Sequence, residues 1–258
     1  MKKVSIDGSN LKSYCELDIS GSKSESNRIL ILKSIFNNIK INNLSSSDDT
    51  SVLNHSLQNL NENIDVGHAG TSMRFLTAYL ATLENKKFII SGSDRMHQRP
   101  IGLLVDALNS LGFKVNYLKK RGFPPLEIIG SKNLHHEVVV KSHVSSQFVS
   151  ALILIAPSLD SGLRIILQDD ITSKPYINMT ISILNKIGVD ATFEKNLINA
   201  AAHITGGGLI ENLLRSVPNK YSLNIDLSKI KIILIGAKNR NNQKLFSEYH
   251  NKLLKWKS

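Results

Sequence analysis

Helix-forming patterns come in pairs along this chain, and the pairs recur. Apolar residues at helical spacing mark Asn27–Asn37 and Thr50–Leu60, then Thr71–Leu83 and Pro100–Leu111, then Ser146–Ala156 and Ser173–Ile187. Short runs of strand character lie between them: Glu16–Ile19, Lys40–Leu44, Lys87–Ser91, Lys114–Leu118, Leu126–Ile129, Glu137–Lys141, Leu163–Gln168 and Asp190–Phe193. Two helices end on the same signal, LGF at Leu111–Phe113 and IGV at Ile187–Val189, where a glycine stops the helix and a strand begins. Three helix pairs with strands between them imply an internal repeat of about 60 residues, each unit reading strand–helix–strand–helix–strand–strand. The fold class expected is therefore α/β or α+β, built from three βαβαββ units.

The pattern stops near Phe193. Residues 1–198 carry 22 basic and 18 acidic residues, and residues 199–258 carry 10 and 3. A glycine-rich stretch, Leu197–Leu209, falls at the same place. The expected division is a domain over 1–196 and a separate tail over 197–258. Within the tail, Ser222–Ile225 and Ile230–Ile235 are candidate strands for completing the third unit.

Composition excludes several classes. A single cysteine, Cys15, rules out an internal disulfide framework and a cysteine-rich zinc site. The longest apolar stretch, Phe148–Pro157, is about half of what spans a bilayer. MKKVSIDGSN has no apolar signal region, so a cytoplasmic location and no membrane partner are expected. The net charge of +11 raises nucleic acid as a partner, but no basic helix with interleaved aromatics and no zinc-finger or RNP pattern accompanies it. Nucleic acid is therefore not expected as a partner. The histidines show no metal-ligand spacing, and no metal site is expected.

Five helix starts carry unusual chemistry. GSKSESNR (Gly21–Arg28) places Lys23 and Arg28 where the helix dipole disfavours cations, a placement that makes sense around an anionic ligand. DVGHAGTSMR (Asp65–Arg74) runs a glycine-containing loop into a helix, with Gly70 allowing close backbone approach and Arg74 one turn inside. DRMHQRPIG (Asp94–Gly102) sets Arg95 and Arg99 before Pro100, and arginine suits forked recognition of carboxylate or phosphate. VSSQF (Val144–Phe148) and TSKPY (Thr172–Tyr176) offer the neutral donors Ser145, Ser146, Gln147, Ser173 and Tyr176. Each motif also reads as an ordinary cap or surface turn. Together they imply convergent anion sites.

In this order the motifs resemble the EPSP synthase family, the 3-phosphoshikimate 1-carboxyvinyltransferases. The matched residues run from about Leu17 to Phe193 and include GSKSxSNR, Ser47–Asp49, xAGTxMR, RMxxRPIGxLVDAL, Pro124–Leu126, VSSQFxSAL and SKPYIxxT. The resemblance implies an inside-out α/β domain with its helices inside, one of the family's usual two. It implies transfer of the enolpyruvyl group of phosphoenolpyruvate to shikimate 3-phosphate with no cofactor and no metal, by a protein that is usually monomeric. Lys23 would touch both substrates and be the catalytic group on this half. Ser24, Arg28, Ser145, Ser146, Gln147, Ser173 and Tyr176 would bind shikimate 3-phosphate. Gly70 and Arg99 would bind phosphoenolpyruvate. A sister family acting on UDP-N-acetylglucosamine has Lys-Asn where this chain has Lys23–Ser24, and Cys15 is misplaced for its acid. His68, and His97 with Gln98, stand where the family commonly has Asn and Lys-Glu.

The family's second domain, with its acid/base groups, is not in this sequence. Transfer by this chain is thus expected to be incomplete, and the alternative is a half-site that binds shikimate 3-phosphate without turnover. Ala202–Pro218 resembles instead a segment of phosphoribosylformylglycinamidine cyclo-ligase, through AHITGGG followed by Glu211–Asn212, Arg215 and Pro218.

Overall fold

The structure is a computed structural model that describes residues 16, 18–141, 145–168, 173–194 and 197–200, with the backbone of 221–226 and 231–236, and among the described residues two helices come before any strand. They are α1 (Lys23–Ile35) and α2 (Asp48–Gln58). A complete unit follows: β1 (Asn63–Asp65), α3 (Gly70–Ala81), β2 (Lys87–Ser91), α4 (Gly102–Ser110), β3 (Lys114–Tyr117) and β4 (Leu126–Ile129). A second unit repeats it: β5 (Glu137–Lys141), α5 (Ser146–Ile155), β6 (Leu163–Gln168), α6 (Lys174–Lys186), β7 (Ala191–Glu194) and β8 (Leu197–Ala200).

The two sheets have the same plan. One runs β1-β2-β4-β3 and the other β5-β6-β8-β7. In each, the first two strands are parallel and the other pairs antiparallel. Strand residues alternate, with Phe88, Ile90, Leu126, Ile128, Val138, Val140, Leu163, Ile165 and Leu167 facing the core. Helices α3 and α5 are buried nearly all round, from Ser72 to Ala81 and from Phe148 to Ile155. Such helices belong at the centre of a fold. Here α3 packs on α5, and α1 touches α2, α3, α5 and α6. The helices therefore lie inside the sheets. Among the described residues no helix is long and apolar enough to cross a membrane.

The repeat extends to single hydrogen bonds. Asn109, at the end of α4, accepts from the Val115 N–H at 2.9 Å and donates to its carbonyl at 3.0 Å. Asn185, at the end of α6, does the same for Ala191 at the same distances. Each asparagine stands three residues before a glycine with φ of 96° (Gly112) or 88° (Gly188), a left-handed turn that a side chain would strain. The next N–H then bonds back to the helix, Phe113 to Leu108 at 3.1 Å and Val189 to Leu184 at 3.0 Å. Sequence signals placed both stops correctly.

The first unit differs from expectation. The described residues of Glu16–Ile19 form no strand, and neither does Lys40–Leu44. A strand needs a ladder partner, and Asn43 adopts φ of 53°, which breaks an extended run. The two segments meet instead through a side chain, with Asn43 Nδ2 donating to the Ile19 carbonyl at 3.2 Å. Two units are thus complete among the described residues, and the first contributes helices alone. At the other end, β8 lies between β6 and β7, so the second sheet runs four residues past Asn196. The candidate strands of the tail fall within β9 (Tyr221–Asp226) and β10 (Lys231–Gly236), which pair with each other and not with the sheet of the third unit, β5-β6-β8-β7. Ala202–Pro218 lies outside the described residues, as do Val144 and Thr172.

The asparagine clasps are expected to stabilise the two units equally. Asn109→Ala and Asn185→Ala each remove two hydrogen bonds and orphan a strand N–H, a loss of about 2 kcal/mol. Thermal melts should fall by roughly 4–8 °C for each variant. A change below about 1 °C in both would show that the clasps only accompany the turn.

Candidate functional site

The helix starts singled out in the sequence are tied to one another. Lys23 Nζ sits 3.7 Å from Asp49 Oδ2. Asp49 Oδ1 accepts from the Thr71 N–H at 3.3 Å, and its carbonyl accepts from the Ser72 hydroxyl at 2.9 Å. Thr71 Oγ1 in turn accepts from Gln147 Nε2 at 3.3 Å. One chain of contacts therefore joins the N-termini of α1, α2, α3 and α5.

Arg28 adds the sixth helix. The residue is almost fully buried, at 3% exposure. Nε donates to Thr180 Oγ1 at 2.7 Å, Nη1 to the Ser24 carbonyl at 2.7 Å, and Nη2 to Ser150 Oγ at 3.0 Å and the Tyr176 carbonyl at 3.3 Å. The rings of Phe75 and Tyr176 lie 5.5 and 5.9 Å from it. Among the described residues no carboxylate forms an ion pair with Arg28. Burial consequently pushes its pKa down to about 10, and Tyr176 opposes the shift only in part.

Arg74, also buried, is in the same condition. It donates to the Gly70 carbonyl at 3.0 Å and the Pro100 carbonyl at 2.9 Å, and burial, helped by the charge of Arg99, lowers its pKa to about 10. Asp49 partly opposes that shift. Arg99 reaches the His68 carbonyl at 3.4 Å and lies against Gly70. A Cβ on Gly70 would overlap the Arg99 guanidinium where it lies, so a side chain there would displace the flexible end of the arginine.

The neutral donors divide by occupation. Ser145 Oγ caps α5 by accepting from the Gln147 N–H at 3.3 Å, and Ser146 behind it is buried. Ser173 makes no cap bond to α6 and holds φ of 60°, ψ of 38°, a left-handed conformation that costs a serine about 1–2 kcal/mol. Strain of that kind gathers at functional sites. Tyr176 presents a ring 45% exposed beside Arg28.

Every site residue expected from the sequence is described. Lys23 and Gln147 are joined through Asp49 and Thr71. Ser24, Arg28 and Tyr176 are joined directly, and Gly70 and Arg99 are in contact. Ser145, Ser146 and Ser173 stand at the starts of α5 and α6. Sequence reading did not assign roles to Asp49, Thr71, Ser150 or Thr180. A signal for two of them existed: Ser150 and Thr180 follow Ser146 and Tyr176 by four residues, which puts each on the same helix face one turn deeper. Among the described residues no group of three His, Cys, Asp or Glu side chains is placed to hold a metal ion.

The chain is similar to known proteins over much of its length. The family model "EPSP synthase (3-phosphoshikimate 1-carboxyvinyltransferase)" matches residues 59–212. A 3-phosphoshikimate 1-carboxyvinyltransferase of Bacteroides fragilis is 43% identical over 178 residues, covering 69% of this chain and 43% of that protein. One from Shewanella sediminis is 37% identical over 216 residues, covering 73% and 50%. The chain thus spans about half the length of the curated relatives it matches. A solved EPSP synthase from Acinetobacter baumannii superposes with a TM-score of 0.60 at 17% identity, covering 74% of this chain and 47% of that one, a likeness of fold.

Arg28 burdens the fold at neutral pH. With a folded pKa near 10 against the ordinary 12.5, the cost of charging it is present in full below pH 10 and is relieved only above that. Arg28→Met keeps the length and removes the charge. It should leave stability unchanged or raise it by about 1–4 kcal/mol, read as an equal or higher melting temperature. A marked fall would mean that its hydrogen bonds outweigh its desolvation.

Proposed function

The chain belongs to the EPSP synthase family, and on that premise we propose that it provides the shikimate 3-phosphate side of enolpyruvyl transfer from phosphoenolpyruvate. The observation that carries the reading is Arg28, a buried cation with hydrogen-bonded neutral neighbours and no ion-paired carboxylate among the described residues. Such a charge costs stability unless a ligand anion completes it. Ser24 and Tyr176 touch it, Ser145, Ser146, Gln147 and Ser173 stand at the starts of the two helices it bonds to, and all of these would donate to a phosphate and to ring hydroxyls. Ser173, strained and free of a capping role, supports the same reading.

Phosphoenolpyruvate would lie toward Lys23, Gly70 and Arg99. The reaction adds the 5-hydroxyl oxygen to C2 of phosphoenolpyruvate as that hydroxyl gives up its proton to a base, while C3 gains a proton. Phosphate then leaves C2 as a proton departs from C3, restoring the double bond. Lys23, half-exposed and held by Asp49, is the acid/base group we assign on this side. General acid/base groups contribute about 10²–10⁴-fold each, so one lysine alone supports little turnover.

Calorimetric titration with shikimate 3-phosphate at low salt should give saturable heat, lost in Arg28→Met. Phosphate release from the two substrates separates transfer from binding alone, and it should stay at the uncatalysed level for this chain by itself. Absence of heat at millimolar ligand, with a cooperative melt confirming the fold, contradicts the binding role. Release abolished by Lys23→Ala would instead show that the chain turns over unaided.

A further inference from the structure

An open pocket of about 390 Å³ lies beside Gly70, lined by His68, Arg95, Met96 and Arg99. None of these lining residues is acidic. Met96, 1% exposed, forms an apolar floor, and the two arginines and the histidine supply polar groups around it. Arg95 and His68 have no role in the reading above.

The segment Ser91–Ser93 holds this wall in place. Ser93 N–H donates to the Gly67 carbonyl, and the Ser93 carbonyl accepts from the His97 N–H, both at 3.1 Å. His97 Nε2 lies 2.9 Å from Ser91 Oγ. Ser93 Oγ accepts from the Met96 N–H at 3.3 Å and lies 2.7 Å from His68 Nδ1. The pocket wall thus carries two guanidinium groups and an imidazole ring. Its positive charge is felt nearby, since Arg99 helps to lower the pKa of Arg74.

We propose that Arg95 and His68 are further ligands for the smaller substrate, and that with Arg99 they select a phosphoryl group over a bare carboxylate. Two guanidinium groups and an imidazole on one pocket suit a tetrahedral dianion, which accepts from several directions. A planar monoanionic carboxylate satisfies one arginine fork and leaves the others unused. The proposal deepens the enolpyruvyl-transfer reading and takes the identity of the substrate from it. The pocket's preference for phosphate stands on the residues alone.

The test is an NMR titration of the full chain with phosphoenolpyruvate, inorganic phosphate and pyruvate. Wild type, Arg95→Gln and His68→Leu are compared, with shikimate 3-phosphate as a separate arm. Phosphoenolpyruvate and phosphate should move the His68 ring signals and the amides of 95–99, with pyruvate moving them far less. Arg95→Gln should weaken phosphoenolpyruvate by about fivefold, the scale of an exposed charge, and leave shikimate 3-phosphate affinity unchanged. His68→Leu should lower the preference for phosphoenolpyruvate over pyruvate. Silent His68 signals, or equal affinities in wild type and Arg95→Gln, overturn the proposal. Phosphate reaching His68 while shikimate 3-phosphate binds nowhere would uphold the pocket and refute the broader function.

Discussion

Arg28 is the constraint around which the helical core is arranged. One guanidinium binds the Ser24 carbonyl on its own helix, Ser150 on α5, and Thr180 with the Tyr176 carbonyl on α6. The three helices must therefore bring their N-terminal turns to one point, and Phe75 of α3 closes the cluster. Hydrogen bonds to hydroxyls and carbonyls satisfy the donors without neutralising the charge. The fold keeps a cation in a dry place, and the burden lies with stability, as is common where function needs a strained site.

The repeat supplies the geometry that makes this arrangement available. Each complete unit ends its second helix with an asparagine clasp and a left-handed glycine, so the following strand leaves at a fixed angle. Sheets of the same order cover the outside, and their apolar faces press α3 and α5 inward. With the helices central, their starts emerge near one another, and the contacts from Lys23 through Asp49 and Thr71 to Gln147 become short.

Much of this was legible in the sequence. The six helices follow from apolar spacing, and the stops at Gly112 and Gly188 from local turn chemistry. The cations at Lys23 and Arg28 drew attention because they oppose a helix dipole. What was not legible depends on distant partners. Glu16–Ile19 and Lys40–Leu44 have strand composition, yet pairing decides whether a strand exists, and Asn43 turns the chain away. Strand β8 follows β7 after two residues, but its composition, Leu-Ile-Asn-Ala, merged with the glycine-rich stretch beyond it. Asp49 reads as an ordinary first-turn acid until the fold brings Lys23 and Thr71 to it. Likewise Ser150 and Thr180 look like core hydroxyls until Arg28 arrives from a helix more than a hundred residues away.

The central claim is that the starts of α1, α5 and α6 form one anion site centred on Arg28. Hydrogen exchange of the full chain, with and without shikimate 3-phosphate, addresses it directly. Protection should rise together in 24–28, 145–147 and 173–176, with the same ligand dependence in all three. Protection confined to one of these segments, or absent from all of them at saturating ligand, would contradict a shared site.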